Sequence, residues 1–313
     1  MIAVCIATYN HESFIAQAIE SVQAQVCVEP LRIYIGDDAS TDGTQEVCER
    51  YAAKDERIVY VRRSQNLGLV SNTVDLYRRI MADGCEYTAM LDGDDYWTDP
   101  HKLQKQADYM RLHPETGFVH TSAKVFSGAQ TWTFGQREGV YGLDSVGFAN
   151  CTVMFRTALM NEELLQAIEA QHFRWLDYPL YGVFYQQTQW AYLPDETAVW
   201  RDHTSVSQPK TAREILQLRE ERVRMWKWLD GLFPGKVGYS SAAAETFLFE
   251  QRMNLIYQFD DRTLVTEALL ERYQPRSWKQ RLKQKGLKND IIYTILQKIS
   301  FYICINDKKV VSL

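Results

Sequence analysis

The stretch Tyr87–Trp97, YTAMLDGDDYW, sets Asp92, Asp94 and Asp95 directly after a short apolar run. Carboxylates this close repel one another, and at the edge of a core that repulsion needs a cation or strong donors between them. A divalent ion is the simplest compensation. Ligands that are all oxygen suit a hard ion such as Mg²⁺ or Mn²⁺, which keeps coordination positions open for the phosphates of a substrate. A solvated Asp/Gly turn could be spelled with the same letters, so the cluster gains its meaning from the residues that accompany it.

The elements that would position the cluster are legible. Ile2–Ala7 and Leu31–Ile35 read as buried strands, as does Tyr87–Leu91, and Ile58–Val61 reads as another. Helical spacing follows the first three in chain order: Ile15, Ala18, Ile19 and Val22 after the first, a segment to about Ala53 after the second, and Val70–Met81 after the third-strand loop Asn66-Leu67-Gly68. Asp42, three residues before Gln45, predicts a capping box on the second helix. Strands alternating with helices predict an α/β fold with a mostly parallel sheet flanked by helices. In such sheets ligands bind beyond the carboxyl ends of the strands. Thr8 and Tyr9, Asp37 and Asp38, and the acidic cluster all follow strands directly, so they can share one site. A flat aromatic beside a carboxylate able to accept an N–H suits a planar base, and a metal-bearing acidic cluster suits a diphosphate. Together they describe a nucleoside diphosphate.

Ile6-Ala7-Thr8-Tyr9-Asn10, Ile35–Thr44, Asn66-Leu67-Gly68, Leu91–Trp97 and Pro100-His101-Lys102-Leu103 resemble, in order and spacing, glycosyltransferase family 2. The resemblance implies the GT-A fold, a Rossmann-like half sheet for the nucleotide sugar continuous with an acceptor half. It assigns nucleotide-sugar contacts to Thr8, Tyr9, Asn10, Asp38, Asn66, Asp92, Gly93, Asp94 and Arg201. Tyr9 would flank the base, Asp38 would accept its N3–H, and Asp92 would meet the ribose. Asp94 would hold Mn²⁺ or Mg²⁺ on the diphosphate, with His203 as a further metal ligand. Asp177, in Phe173–Leu180, resembles the aspartate that serves inverting members as general base, although Leu176 precedes it where many members carry an acidic residue or glycine. An aspartate capping a helix with Pro179 in its first turn is the structural alternative. Glu162, Glu163 and Asp195 are the other carboxylates in reach of that role.

The implied organisation is a GT-A domain over 1–208, divided into a donor half (1–120) and an acceptor half (121–208), then a helical extension over 209–313. The implied reaction is metal-dependent, inverting transfer from a nucleoside diphosphate sugar, UDP favoured, to a hydroxyl of a polysaccharide or lipid-linked saccharide. A sugar-phosphate nucleotidyltransferase, or a non-catalytic nucleotide-binding protein on the same fold, is the competing reading. The first lacks the glycine-rich phosphate loop it would need after strand one. A net charge of −5 over 313 residues argues against nucleic acid as a partner. Six cysteines without metal-type spacing point to a reducing, cytoplasmic setting. MIAVCIATYN has no basic n-region and reads as a strand, and no apolar run is long enough to span a bilayer. Arg276–Lys288 is basic and precedes a one-sided apolar helix face (Ile292, Ile295, Leu296, Ile299, Ile303), which suits either peripheral contact with an anionic membrane or docking on the core.

Overall fold

The structure, a computed structural model, describes residues 1–128, 130–135, 148–202, 211–264 and 287. His203, all of the basic stretch 276–288 except Leu287, the apolar face beyond it and Cys304 lie outside the described residues. The chain divides into two compact units, Met1–His203 and Thr204–Leu313.

The first unit is built on β1 (Ile2–Thr8), buried at every position. A strand covered on both faces needs helices above and below, and the connections supply them. α1 (Ile15–Gln23) buries Ile15, Ala18, Ile19 and Val22, the one-sided spacing of an amphipathic helix. It leads to β2 (Leu31–Asp37), α2 (Thr44–Ala52), β3 (Ile58–Arg62), α3 (Leu69–Ala82) and β4 (Tyr87–Asp92). These four strands pair in parallel in the order β3-β2-β1-β4. The register sets Thr8 beside Asp37 and Ala7 beside Asp92. All three strands therefore end at one edge.

Beyond β4 the sheet is mixed, which corrects the expectation of a mostly parallel one. β5 (Tyr96–Trp97), α4 (Lys102–Leu112), β6 (Thr116–Ser127), β7 (Gln130–Phe134), β8 (Met154–Arg156), α5 (Glu162–Glu169), α6 (Asp177–Gln187) and β9 (Gln189–Arg201) complete the unit. β8 runs antiparallel to both β4 and β6, β9 runs parallel to β6, and β5 runs antiparallel to β9. Parallel neighbours need a crossover of a dozen or more residues, and several links here are far shorter. The turn from β4 to β5 is only Gly93–Asp95, so β5 leaves β4 and pairs elsewhere.

A second correction concerns α2. Its N-cap is Gly43, with no side-chain cap. Asp42 instead closes a turn one residue earlier, where Oδ1 accepts from the Thr44 backbone N–H at 3.0 Å and from its hydroxyl at 2.6 Å. The local letters of a capping box lost to a tertiary bond: Gly43 N–H goes to Glu12 Oε2 at 3.1 Å.

In the second unit α7 (Ala212–Leu232) starts with a true capping box, Thr211 with Glu214, and α8 (Ser241–Phe259) is capped by Ser240. Leu216, Phe249, Met253 and Ile256 form its core. Among the described residues no helix is long and apolar enough to cross a membrane.

α4 brings one unusual group under the sheet. Lys102 is fully buried. Its Nζ donates to Gln106 Oε1 at 2.8 Å and lies 4.3 Å from the Trp97 ring centre. Burial pulls its pKa down from 10.5 to about 7. Between those two values unfolding takes up a proton, so this lysine makes stability rise with pH; below the lower value both states are charged and its cost is constant. Lys102→Met should therefore gain stability over wild type most below pH 7, with the gain shrinking by up to about 1.4 kcal/mol per pH unit on the way to pH 10. Denaturant unfolding of both proteins at several pH values measures the difference, and a pH-independent gap would contradict the assignment.

Candidate functional site

The carboxyl edge of β1, β2 and β4 collects the donor-side residues, and loop-to-loop bonds fix them there. Asn10 has a left-handed backbone, φ 56°. Its N–H donates to Ser40 Oγ at 2.9 Å and its Oδ1 accepts from the Thr41 N–H at 2.7 Å. His11 N–H donates to Thr44 Oγ1, and Glu12 N–H to Asp42 Oδ2. The loop after β1 is thus stitched to the loop after β2. Asn10, read as a nucleotide contact, spends its groups on this seam. Tyr9, next to it, stands 42% exposed with its ring available for stacking.

Asp37 and Asp38 divide their work. Asp37 is fully buried and accepts from Ser40 N–H and Tyr60 OH. Asp38 is also buried, and its two oxygens accept from Leu67 N–H at 2.7 Å and Gly68 N–H at 2.9 Å. It clamps the Asn66-Leu67-Gly68 loop at the start of α3. Each carboxylate oxygen retains a second lone pair for a ligand. Asn66, exposed at the loop tip, accepts from Gly68 N–H at 3.1 Å.

The acidic cluster follows. Gly93 has no room for a side chain: a Cβ there would stand 2.7 Å from Thr8 Oγ1 and 2.8 Å from His11 Nδ1. This close approach sets His11 Nε2 3.7 Å from Asp94 Oδ2. The Thr8 hydroxyl is buried with no hydrogen-bond partner. Asp92 accepts from Asn150 Nδ2 on both oxygens, at 3.2 and 3.1 Å. Burial, then the charge of Asp94, push the Asp92 pKa up to about 7, and the charge of Asp177 adds to that push. Asp95 is buried, and burial with the charges of Asp94 and Asp92 drives its pKa well up. It accepts from the Arg201 backbone N–H at 2.8 Å. The Arg201 guanidinium donates to the Asp94 carbonyl and to Gln17, and lies 4.5 Å from the Tyr96 ring centre. Pairing of β5 with β9 is what delivers this cation to the cluster.

Asp177 is the first residue of α6, one position inside the helix, with Leu176 as the N-cap. It is a partly exposed carboxylate at the positive end of the helix, and its Oδ1 accepts from the Tyr178 N–H at 2.8 Å. Its charge adds to the upward push on the pKa values of Asp92, Tyr77 and Tyr181. His203 lies outside the described residues. The residues that sequence reasoning left out are His11, Asn150 and Tyr181. Adjacency to Thr8-Tyr9-Asn10 was a signal for His11, and the resemblance of Phe148–Arg156 to the family's segment near the acceptor was one for Asn150; no local pattern marks Tyr181.

Residues 3–178, more than half of the chain, match the family model described as glycosyl transferase family 2. The chain belongs to that family. Its sequence relatives include the putative glycosyltransferase EpsE of Bacillus subtilis, 32% identical over 126 residues, which are 40% of this chain and 44% of EpsE. The putative teichuronic acid biosynthesis glycosyltransferase TuaG of the same organism is 36% identical over 111 residues, 35% of this chain and 42% of TuaG. An uncharacterised protein of Mycobacterium tuberculosis is 41% identical over 110 residues, 35% of this chain and 31% of that protein. The chain spans less than half the length of these sequence relatives. Among solved structures, Staphylococcus aureus TarS 1–349 in complex with UDP-GlcNAc aligns over 96% of this chain and 88% of its own, at TM-score 0.54 and 15% identity. The mannosyltransferase PcManGT of Pyrobaculum calidifontis, in complex with GDP-Man and Mn²⁺, covers 96% and 86% at TM-score 0.54 and 15% identity. Those two likenesses establish the fold.

A family 2 domain whose donor loop hangs on one carboxylate makes a clear demand. Asp38→Ala leaves the buried-side partners of Leu67 and Gly68 missing, so it should cost about 1–3 kcal/mol of unfolding free energy as well as nucleotide affinity. Chemical denaturation and calorimetry on one sample separate the two. Lost affinity at unchanged stability would make Asp38 a ligand contact and not a clamp.

Proposed function

We propose that the chain is an inverting glycosyltransferase, using a nucleoside diphosphate sugar, UDP favoured, and an acceptor hydroxyl of a polysaccharide or lipid-linked saccharide. The observation that supports the reading is the hydrogen-bonded link Asp92–Asn150–Tyr181, which ties the end of β4 to α6 one turn from Asp177. In this reading Asp177 would serve the acceptor and the β4 carboxylates the donor, the separation of roles that inversion needs.

The donor would lie along the carboxyl edge, with its base against Tyr9 and its N3–H on the second lone pair of an Asp38 oxygen. The ribose would meet Asp92, whose orientation Asn150 holds. Among the described residues no three acidic, histidine or cysteine side chains converge on one point. A magnesium-like ion taking one or two protein ligands and filling its shell with phosphate and water is consistent with that. Asp94 would hold it, with His203 as the further ligand read from the sequence, and the ion would supply neutralisation of charge on the departing diphosphate. The Mn²⁺ in the PcManGT complex supports this choice of cofactor. The Arg201 guanidinium, already at the Asp94 backbone, adds positive potential on the same side.

Transfer would then proceed by in-line attack of the acceptor hydroxyl on the anomeric carbon, with Asp177 taking the hydroxyl proton as the bond forms. Two of the three alternative carboxylates are otherwise engaged. Glu162 pairs with Arg78 at 2.8 Å and Asp195 with Lys105.

Structural neighbours carry both UDP-GlcNAc and GDP-Man, so the base preference rests on Asp38. Calorimetry with Mn²⁺ should find uridine diphosphate bound more tightly than guanosine diphosphate. Asp177→Asn should leave that binding within about twofold while sugar transfer falls by roughly 10²–10⁴, the usual contribution of a positioned base. Weakened nucleotide binding with a normal rate per bound donor would make Asp177 structural.

A further inference from the structure

Between Asp92 and α6 lies a hydrogen-bonded chain that runs through Asn150 to Tyr181. Asn150 Nδ2 donates to both oxygens of Asp92, and Asn150 Oδ1 accepts from Tyr181 Oη at 2.6 Å. With Asp92 ionised its oxygens only accept, so Nδ2 donates to the carboxylate and Oδ1 accepts from the tyrosine hydroxyl. Tyr181 stands one helical turn after Asp177, on the same side of α6.

Both ends of the chain are anchored. Tyr181 is 1% exposed, packed edge-on to Phe118 at 5.1 Å and within 6.3 Å of Phe155. Around Asn150 the backbone is pinned from the other direction. Trp97 Nε1 donates to the Cys151 carbonyl at 2.8 Å, and Gln106 Nε2 to the Thr152 carbonyl at 2.9 Å. Asn150 has little freedom except the one its two side-chain bonds define.

We propose that Tyr181 and Asn150 form a strut joining Asp92 to the helix that carries Asp177, so that occupancy of the donor side and placement of the acceptor-side carboxylate are coupled. Both are positioning residues: Asn150 acts through Asp92, and Tyr181 acts through Asn150. The proposal rests on the reading of Asp92 and Asp177 given above. It adds that donor binding stiffens the start of α6.

Four proteins test it: wild type, Asn150→Leu, Tyr181→Phe and the double variant, each probed with uridine diphosphate and Mn²⁺. Tyr181→Phe keeps the ring in its aromatic setting, and melting curves check that all four fold. By calorimetry Asn150→Leu should weaken binding about tenfold and Tyr181→Phe about threefold, with the double variant no weaker than Asn150→Leu alone. By hydrogen exchange, the nucleotide should protect the first turn of α6 in wild type and fail to do so in either single variant. A purely structural role would lower melting temperatures without touching this ligand-dependent protection. Additive losses in the double variant, or protection that survives Tyr181→Phe, would overturn the strut alone. Wild-type protein that binds neither uridine nor guanosine diphosphate would overturn the functional reading, and the strut with it.

Discussion

Three carboxylates in four residues at the end of a buried strand are the constraint around which the donor edge is arranged. Each is treated differently. Asp95 is drawn inside, where burial and the charges of Asp94 and Asp92 favour its neutral form against the Arg201 N–H and the Cys151 thiol, which favour the charged one. Asp92 has its pKa raised by burial and by the charge of Asp94, and the Asn150 amide, donating to the carboxylate, opposes that rise. Asp94 keeps a partly exposed carboxylate beside His11, with the Arg201 guanidinium on its own carbonyl. One sequence motif therefore yields a buried acid, an orienting carboxylate and an accessible one, because the three differ in solvation and donors and not in chemistry.

The surrounding fold is shaped by the same demand. Gly93 permits the contact of Thr8 and His11 with the turn, which any Cβ would break. Asn10, Glu12, Asp42 and Thr44 lock the first two loops together, and Asp38 locks the third. These bonds mean that the edge is formed before any ligand arrives, which lowers the ordering cost of binding. The short turn from β4 to β5 then hands the chain to β9, whose last residue returns a cation to the cluster.

Much of this was legible. Strand runs such as Ile2–Thr8 and the helical spacing of Ile15, Ala18, Ile19 and Val22 are local signals, and they formed as read. The common edge followed from strand polarity. What sequence could not carry was partner choice across the chain. Asp42 loses its capping role to a turn because Glu12, thirty residues away, meets Gly43 instead. The bonds of Asn10 to Ser40 and Thr41 across the two loops carry no local mark in the sequence. Asn150 and Tyr181 sit in stretches whose letters look like ordinary core, and their meaning arises only where α6 meets β4. Lys102 would be taken for a surface lysine at a helix start, yet it is enclosed by Trp97 and Gln106. The mixed half of the sheet was missed because short apolar runs carry no mark of direction.

The central claim is that the accessible carboxylate of the cluster serves a cation that binds together with a diphosphate. The direct measurement is the thermal stability of wild type and Asp94→Asn, each alone, with Mn²⁺, with uridine diphosphate, and with both. Asparagine keeps the size of the side chain and removes its charge. The account predicts that Mn²⁺ and nucleotide together raise the wild-type Tm well beyond the sum of their separate effects, and that Asp94→Asn abolishes this cooperation. Equal cooperation in the variant, or a nucleotide shift in wild type that is indifferent to Mn²⁺, would contradict it.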